Sequence, residues 1–349
     1  MTNWRKKKPA VWDDRRRDTY LYYWHVHMEL RQIYAPVEED LLKVEATLKS
    51  TSNVDFPHLA KLLEHSLKGD GKRIRPALTL LAGKFYDYNT ENLVRMAAAL
   101  EIMHTATLVH DDAIDHSLVR RSRPTVNKLW GEEQAVLLGD YLFAEAGSLT
   151  ASTNNLRAVR LFAWTLRTIS RGELDQAVNA FTLSQTREQY ISRIAQKTAT
   201  LFTTSTESGA VLSNAPEESI QSLVCYGYNL GIGFQIVDDI LDFTSTEQQL
   251  GKPTGSDLAQ GTVTLPVLLL VKQYPEEPAV KSLFRDREDR GNVDRVIELV
   301  RNSPGIVQEC YRVAAEYCDA ARDALQGLPN NEARLSLQEL TRYIVRRNR

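Results

Sequence analysis

The sequence predicts an all-α protein, built as a single large bundle of ten or more helices around a central cavity. From about residue 34 onward, apolar residues recur at the 3.6-residue spacing of amphipathic helices, and no stretch shows the alternation of a half-buried strand. Two of the helical runs are almost free of charge, which is typical of helices buried on most sides. No linker divides residues 34–349, so we expect one catalytic domain there, preceded by an extension at residues 1–33.

The composition argues against several classes of protein. A formal net charge of −2 provides no basic field for nucleic acid. The three cysteines contain no CxxC pair, which argues against a disulfide framework or a zinc site. No uncharged run reaches the ~18–20 residues that span a bilayer, and no apolar signal-peptide core opens the chain. We therefore expect a soluble protein in the cytoplasm.

The extension at residues 1–33 is rich in basic and aromatic side chains. Three of the five tryptophans lie in its first 24 residues, among seven lysines and arginines. Such a mixture can rest on an anionic membrane surface. Because Asp13 and Asp14 interrupt the charge and no amphipathic period appears, we favour a disordered or subunit-packing extension, with peripheral membrane contact for product release as the alternative.

The first nearly uncharged helix ends in a cluster of carboxylates. Between Ile102 and Val109, only His104 can carry a charge, and Asp111, Asp112 and Asp115 follow. Residues four apart share one face of a helix, so the first and last aspartates should lie together. Buried carboxylates must be paired, hydrogen-bonded or bound to metal.

The same pattern occurs a second time. The uncharged run 227–237 ends in Asp238, Asp239 and Asp242, with the same spacing. One such cluster is more often a solvated helix face, but two copies closing buried helices indicate divalent cations shared between facing helices. Oxygen ligands favour Mg²⁺ or Mn²⁺, and Mg²⁺ commonly takes phosphate oxygens as further ligands. The predicted substrate is therefore a diphosphate.

Basic residues are placed to bind such anions. Lys72, Arg73 and Arg75 precede a helix that we expect to begin at Pro76, where free amides and the helix dipole attract anions. A loop at 251–257 contains Lys252 and could cover a ligand. Further helices are expected at Pro36–Leu48, Pro57–Leu67, Gly131–Ala151, Arg157–Phe181, Arg187–Leu212, Val293–Arg301, Ile306–Leu325 and Ala333–Arg346, with Pro275–Arg290 as an exposed excursion.

The ordered motifs GKRIRP, HTATLVHDDAIDHSLVRRSRPTVN, KTATLF, GFQIVDDILD, GKPTGSDL and TLP resemble those of the all-trans polyprenyl diphosphate synthases. The resemblance extends from about residue 34 to the C-terminus. It implies the isoprenoid synthase fold, a homodimer, and condensation of isopentenyl diphosphate with an allylic diphosphate. The implied product is an all-trans polyprenyl diphosphate for quinone side chains or related isoprenoids.

The resemblance also implies roles for individual residues. Up to three Mg²⁺ ions, or Mn²⁺ in their place, would be held by Asp111, Asp115 and Asp238, with support from Asp112, Asp239 and Asp242. Isopentenyl diphosphate would be bound by Lys72, Arg75, His104 and Arg121. The allylic diphosphate would be bound by Arg120, Lys197, Thr198, Gln235 and Lys252. Two positions depart from the family pattern: Ser122 replaces a usual glycine, and Thr262 replaces a lysine found in many members.

The residues before the first cluster predict a product longer than farnesyl, with hexaprenyl to decaprenyl favoured. A tail that runs back along this helix would pass Thr107, Ala106 and Met103, at about one isoprene unit per turn of about 5.4 Å. The first two are small, and methionine is flexible enough to swing aside. The alternative is that these small residues only allow close helix packing.

Four other functions remain as alternatives. A geranylgeranyl or farnesyl diphosphate synthase would differ only in product length. A terpene cyclase has no use for a second diphosphate site at GKRIRP, and a non-catalytic subunit of a heteromeric synthase would be expected to lose aspartates. His110 beside Asp111 is compatible with an HD-type phosphohydrolase, but the other dispersed ligands of that class are missing.

Overall fold

The protein is described by a computed structural model that covers residues 30–68, 71–246, 248, 254–285 and 290–347. Its helices are α1 (Glu38–Ser50), α2 (Pro57–Leu67), α3 (Ile74–Gly83), α4 (Thr90–Ile114), α5 (Val126–Trp130), α6 (Glu132–Ala151), α7 (Leu156–Asn179), α8 (Arg187–Ile194), α9 (Thr200–Leu212), α10 (Glu217–Thr244), α11 (Ser256–Ala259), α12 (Leu265–Gln273), α13 (Pro278–Ser282), α14 (Arg290–Arg301), α15 (Pro304–Ala324) and α16 (Glu332–Arg346). This confirms the predicted all-α class.

Two short features complete the architecture. A 3-10 turn at Ala35–Val37 precedes α1, and β1 (Val119–Arg120) pairs antiparallel with β2 (Arg123–Pro124). Most of the expected extension lies outside the described residues, although Leu30 and Ile33 are buried in the core. In the part of the chain that is described, no helix combines the length and hydrophobicity needed to cross a membrane.

Helix α9 forms the centre of the bundle and contacts α3, α4, α7 and α10. It is buried along almost its whole length despite its many hydroxyl side chains. Thr203 and Ser205 donate hydrogen bonds to carbonyl oxygens one turn earlier, at 2.9 and 2.8 Å, so these buried groups are satisfied. A Cβ atom at Gly209 would lie 2.2 Å from the carbonyl oxygen of Thr79, so the backbones of α9 and α3 are in direct contact.

The two helices that carry the acidic clusters pack on this central helix. Helix α4 also packs against α6, and α10 also packs against α15. Both α4 and α10 place their aspartates in their final turns or directly after them. The bundle therefore brings the two clusters to the same end of α9.

Most predicted helices are present, with boundaries displaced by three residues or fewer, and α3 begins two residues before Pro76. Two predictions were wrong in part. The helix expected over Arg187–Leu212 is interrupted by a π-helical turn at Ala195–Ala199, hereafter the π segment. The expected excursion at Pro275–Arg290 contains α13, whose Ala279 and Val280 are buried because they pack on the core.

The hairpin β1–β2 has a strained turn. Its two central residues, Arg121 and Ser122, have φ values of 50° and 60°. Two consecutive residues with positive φ are typical of a type I′ turn, which favours glycine at its second position. Ser122 stands where the family resemblance predicts glycine. It lowers the stability of this turn, because a Cβ atom is unfavourable in the left-handed region.

We predict that Ser122→Gly will raise the free energy of unfolding by about 0.5–1 kcal/mol, because the glycine relieves this strain. Urea denaturation of the purified variant would measure the change. Ser117→Gly provides a matched control, since Ser117 lies in the same connection without a positive φ. Equal or lower stability of Ser122→Gly would contradict the prediction.

Candidate active site

The first cluster combines the half-buried Asp111, the buried Asp112 and the exposed Asp115. Helix α4 ends at Ile114, and the amide of Asp115 donates to the carbonyl oxygen of Asp111 at 2.8 Å, so these two aspartates lie one turn apart. Asp112 is buried, and the Nε atom of Arg120 lies 2.8 and 3.0 Å from its two carboxylate oxygens. Burial raises the pKa of Asp112, and the neighbouring aspartates add to the rise against the opposing effect of Arg120.

The π segment brings a lysine to this cluster. The Nζ atom of Lys197 lies 3.8 Å from Oδ2 of Asp111 and 2.8 Å from Oε1 of Glu173 on α7. Burial disfavours the charge on Lys197, but Asp111 and Glu173 together outweigh that effect and raise its pKa. Lys197 is therefore a cation held at the edge of the region between the two aspartate clusters, which we call the acidic cavity.

A hydrogen-bonded network holds the second cluster. Asp239, only 2% exposed, accepts hydrogen bonds from the hydroxyl of Tyr190 at 2.6 Å and from the amide of Gln235 at 2.8 Å. The hydroxyl of Thr198 donates to the amide oxygen of Gln235 at 2.7 Å. Burial raises the pKa of Asp239 to about 7. The charges of Asp257 and the adjacent aspartate add to the rise, and the two hydrogen bonds oppose it.

The loop after α10 adds a further acid. Asp242 fixes this loop, because its carbonyl oxygen accepts from the amide of Gly255 at 3.0 Å and its carboxylate from the hydroxyl of Ser256 at 3.3 Å. Asp257 follows directly. Its charge contributes to the raised pKa of both Asp115, where desolvation is the main cause, and Asp239. The Asp257 carboxylate thus raises the pKa of one aspartate in each cluster.

The C-terminal segment reaches the same cavity. The buried side chain of Arg347 donates from Nη2 to Asp238 and to the carbonyl oxygen of Phe234, the latter at 2.9 Å. Its guanidinium carbon lies 3.9 Å from the centre of the Phe234 ring. The buried Nε atom has no hydrogen-bond partner among the described residues.

A basic pocket lies beside the acidic cavity. The guanidinium of Arg75 stacks 5.1 Å above the Phe202 ring, and burial lowers the pKa of Arg75 to about 10. Burial, with Arg75 and Arg121 adding to it, also holds the pKa of His104 well below its usual range. Within the described residues, the buried Nε atom of Arg75 has no hydrogen-bond partner. An unpaired buried donor among several cations is suited to an anionic ligand.

Other basic residues around this pocket have structural partners. Arg73 binds Glu45 and, at 2.8 Å, Glu101, so it holds α1, α3 and α4 together. The backbone carbonyl of Lys72 accepts from the hydroxyl of Tyr34 at 3.0 Å, and its Nζ atom lies 5.7 Å from the Tyr343 ring.

Several predicted residues remain untested by this geometry. Lys252 lies outside the described residues. Met103 and Ala106 are fully buried in α4, and Thr107 is half-buried. His110 turns toward α6, with Nε2 2.9 Å from the carbonyl oxygen of Val136, which weakens the phosphohydrolase alternative.

The donor set fits divalent cations that share their coordination with a substrate. In the described chain, no three His, Cys, Asp or Glu side chains converge on one point as a preformed metal site. The carboxylates instead raise one another's pKa values, which reflects crowded negative charge. Hard oxygen donors of this kind suit Mg²⁺, which usually keeps open positions for water and phosphate.

Acidic clusters beside an arginine-lined anion pocket are the arrangement expected of a metal-dependent enzyme that acts on diphosphates. A family model for polyprenyl synthetase matches residues 56–300. The chain belongs to this family.

Relatives and solved structures extend the similarity over nearly the whole chain. Heptaprenyl diphosphate synthase component 2 of Geobacillus stearothermophilus is 40% identical, covering 92% of this chain and 100% of the relative. The polyprenyl synthase of Caulobacter crescentus CB15, in complex with calcium and isoprenyl diphosphate, has a TM-score of 0.87 at 34% identity, covering 92% and 98% of the two chains. A decaprenyl diphosphate synthase from Rhodobacter capsulatus has a TM-score of 0.85 at 35% identity, covering 92% and 99%.

Sequence reasoning did not identify four residues that bear on the site. Glu173, Tyr190, Asp257 and Arg347 approach the clusters from α7, α8, α11 and the C-terminus. Only Asp257 lies in one of the family-like motifs, GKPTGSDL, so the sequence could have indicated its place in the site. The sequence around the other three contains no motif that indicates such a role.

We predict that Asp239→Asn will stabilise the metal-free protein at pH 8. The folded protein retains the Asp239 proton up to about pH 7, whereas the unfolded chain releases it near pH 3.8. Stability is therefore lost as the pH rises between these values. The asparagine avoids this loss, so the variant should gain on the order of 2 kcal/mol at pH 8 and almost nothing at pH 4.

Urea unfolding in chelator at both pH values would measure the difference. Asp294→Asn, at an exposed position on α14, is the matched control and should show no such pH dependence. A destabilised Asp239→Asn protein at pH 8 would contradict the assigned environment of this carboxylate.

Proposed function

We propose that the protein is a trans-prenyltransferase that condenses isopentenyl diphosphate with an allylic diphosphate. The observation that carries this proposal is the pairing of an acidic cavity with a separate basic pocket, because the reaction needs two diphosphates held in different ways. A terpene cyclase would need only the first. The presence of all six clustered aspartates favours a catalytic chain over a non-catalytic subunit.

The acidic cavity would bind the allylic substrate. Asp111, Asp115 and Asp238 would hold Mg²⁺, three ions per site, and bound Mg²⁺ would neutralise the diphosphate as it leaves. Lys197 lies beside Asp111, where it can contact the same diphosphate. Thr198 and Gln235 form the adjacent polar wall, and we assign Arg120 and Lys252 to the same ligand.

The basic pocket would bind isopentenyl diphosphate through Lys72, Arg75, His104 and Arg121. His104 remains neutral at physiological pH, because its pKa is held low, and can therefore donate one hydrogen bond without adding charge. Ionisation of the allylic C–O bond gives a carbocation, which the isopentenyl double bond attacks. The family resemblance implies that the released diphosphate accepts the proton that completes the reaction.

Paired substitutions test which site binds which substrate. We predict that Arg75→Gln will raise the KM for isopentenyl diphosphate by about 10–100-fold and that Lys197→Gln will act mainly on the allylic substrate, since each removes a charge-assisted hydrogen bond. Steady-state kinetics with Mg²⁺, varying one substrate at a time, would measure both. Effects on the opposite substrates would show that the sites are exchanged, and full turnover in excess chelator would contradict the proposed function.

We further propose a product in the hexaprenyl to decaprenyl range. The heptaprenyl and decaprenyl synthases among the relatives support this range. Ala106 and Thr107 are small side chains in the turn of α4 before Asp111, and the flexible side chain of Met103 could move aside for a growing tail.

We predict that Ala106→Phe will shorten the product to farnesyl or geranylgeranyl diphosphate, because an aromatic ring one turn before Asp111 would end the tail path. Chromatography of labelled products would give their length. Ala99→Phe, about two turns farther from the aspartates on the same helix, should permit longer products than Ala106→Phe. An active Ala106→Phe enzyme with unchanged products would place the tail elsewhere.

A homodimer is our proposed assembly. Exposed apolar surface of some size is typical of subunit contacts. Between the end of α4 and α6, the exposed apolar side chains include Ile114, Leu118, Leu129, Val136 and Leu137. The description component 2 of the Geobacillus relative supports a heteromer as the alternative.

We predict that Leu137→Glu will convert a dimer to a monomer, because it places a charge in this apolar surface. Light scattering after size exclusion would give the mass. Leu42→Glu is the control, since Leu42 is also an exposed leucine but lies on α1. A wild-type chain that is monomeric alone and active only with a second protein would favour the heteromer.

A further inference from the structure

A groove of about 950 Å³ opens on the outer side of α7, away from the aspartates. Helices α7 and α8 form its two sides, and Tyr228 of α10 and Tyr317 of α15 complete the lining. None of the clustered aspartates or basic-pocket residues contributes to it. Its volume falls in the size range of small-molecule sites. We refer to it as the outer groove.

The outer groove is strongly basic. Arg167 and Arg171 lie one turn apart on α7, Arg187 opens α8, and Glu188 is the sole acid of the lining. In the described ranges, no residue lies within ion-pair or hydrogen-bond distance of these three guanidinium groups, and only the charge of Arg187 acts on nearby acids, adding to the effect of hydrogen bonds that lower the pKa of Glu188 and Glu309. Elsewhere on the surface, arginines are commonly paired, as Arg157 is with Glu207 and Glu217. Three unpaired arginines around one cavity fit a phosphate or diphosphate group.

The same groove offers apolar surface next to this charge. Trp164 lies one turn before Thr168 on α7 and is 41% exposed, and Ile191 and the two tyrosines continue the apolar lining. Exposed aromatic rings beside arginines bind ligands that have both an anionic head and an apolar body. The lining therefore favours an amphiphilic phosphate over a free inorganic anion.

The π segment links the outer groove to the active site. Its Gln196 lines the groove, whereas the next residue, Lys197, contacts Asp111 and Glu173. A Cβ atom at Gly172 of α7 would lie only 2.9 Å from Cβ of Gln196, so helix and segment are in close contact. Because Gln196 and Lys197 are neighbours in the same short segment, a ligand that shifts this segment would move both side chains, and π-helical turns often occur at such functional positions.

We propose that the outer groove is a second binding site for a prenyl phosphate or prenyl diphosphate, and that its occupancy is transmitted through Gln196 to Lys197. The choice of a prenyl ligand rests on the proposed function, because an enzyme that makes such compounds meets them at high local concentration. The arginines bind the head group, and Trp164, Ile191 and the tyrosines bind the first part of the tail. No metal is required, unlike in the acidic cavity.

Titration of the full-length protein with farnesyl monophosphate in excess chelator tests the proposal, with Trp164 as the reporter. We expect a saturable change in tryptophan fluorescence that is lost in Trp164→Phe. The dissociation constant should rise by about tenfold or more in Arg167→Gln/Arg171→Gln, since two charge-assisted contacts are removed. Arg160→Gln, an exposed arginine on the same helix outside the groove, is the matched control and should bind normally.

Two further probes test the ligand class. ADP supplies phosphates on a planar body, and inorganic diphosphate supplies the charge alone. Tighter binding of either than of farnesyl monophosphate would overturn the assignment to a prenyl compound. Equal affinities in the wild-type and double-variant proteins would overturn the site itself.

Hydrogen exchange tests the coupling. Farnesyl monophosphate in chelator should change amide exchange over residues 195–199 in the wild-type protein but not in Arg167→Gln/Arg171→Gln. An unchanged exchange rate at saturation would overturn the coupling. The double variant should retain its basal turnover with Mg²⁺, which separates the two proposals. An active wild-type enzyme that does not bind farnesyl monophosphate in the groove contradicts only this inference, whereas an inactive wild-type protein that still binds it there contradicts only the proposed function.

Discussion

The arrangement of the site depends on crowded carboxylates that the protein neutralises only in part. Asp112 and Asp239 are buried at the ends of two helices, and burial raises the pKa of each. Several other aspartates lie close enough to add to this effect. Keeping such charges together destabilises the metal-free protein. The direct backbone contact between α9 and α3 at Gly209 is part of the packing that holds the surrounding helices in place.

The aspartates of the two clusters differ in their surroundings. Some carboxylates have close partners within the protein, and others leave their negative charge available to a ligand. Arg120 neutralises Asp112, and Tyr190 and Gln235 hold Asp239 by hydrogen bonds. Asp111 and Asp115 are more exposed than these two aspartates, and the Nζ atom of Lys197 lies 3.8 Å from Oδ2 of Asp111. Under the proposed function, the middle residues Asp112 and Asp239 would position their neighbours, and Asp111, Asp115 and Asp238 would hold the metal ions.

The fold and the acidic site were largely predictable, because helical periodicity and the duplicated motif are local patterns. The contacts of Tyr190 and Arg347 were not. Arg347 reaches Asp238 across 109 positions of the chain, and nothing near it in sequence indicates that it turns inward. The π segment was missed because its composition is compatible with an uninterrupted helix. The hairpin was missed because its strands have only two residues each, too few to show alternation.

The most direct test of the account is diffraction from crystals grown with Mn²⁺ and an unreactive thio analogue of an allylic diphosphate, with data collected at the manganese absorption edge. We predict anomalous peaks between the diphosphate and the carboxylates of Asp111 and Asp115, and a separate peak beside Asp238. A diphosphate bound by lysine and arginine alone, with no anomalous peak at either cluster, would contradict the claim that the two acidic clusters exist to hold divalent cations against the substrate.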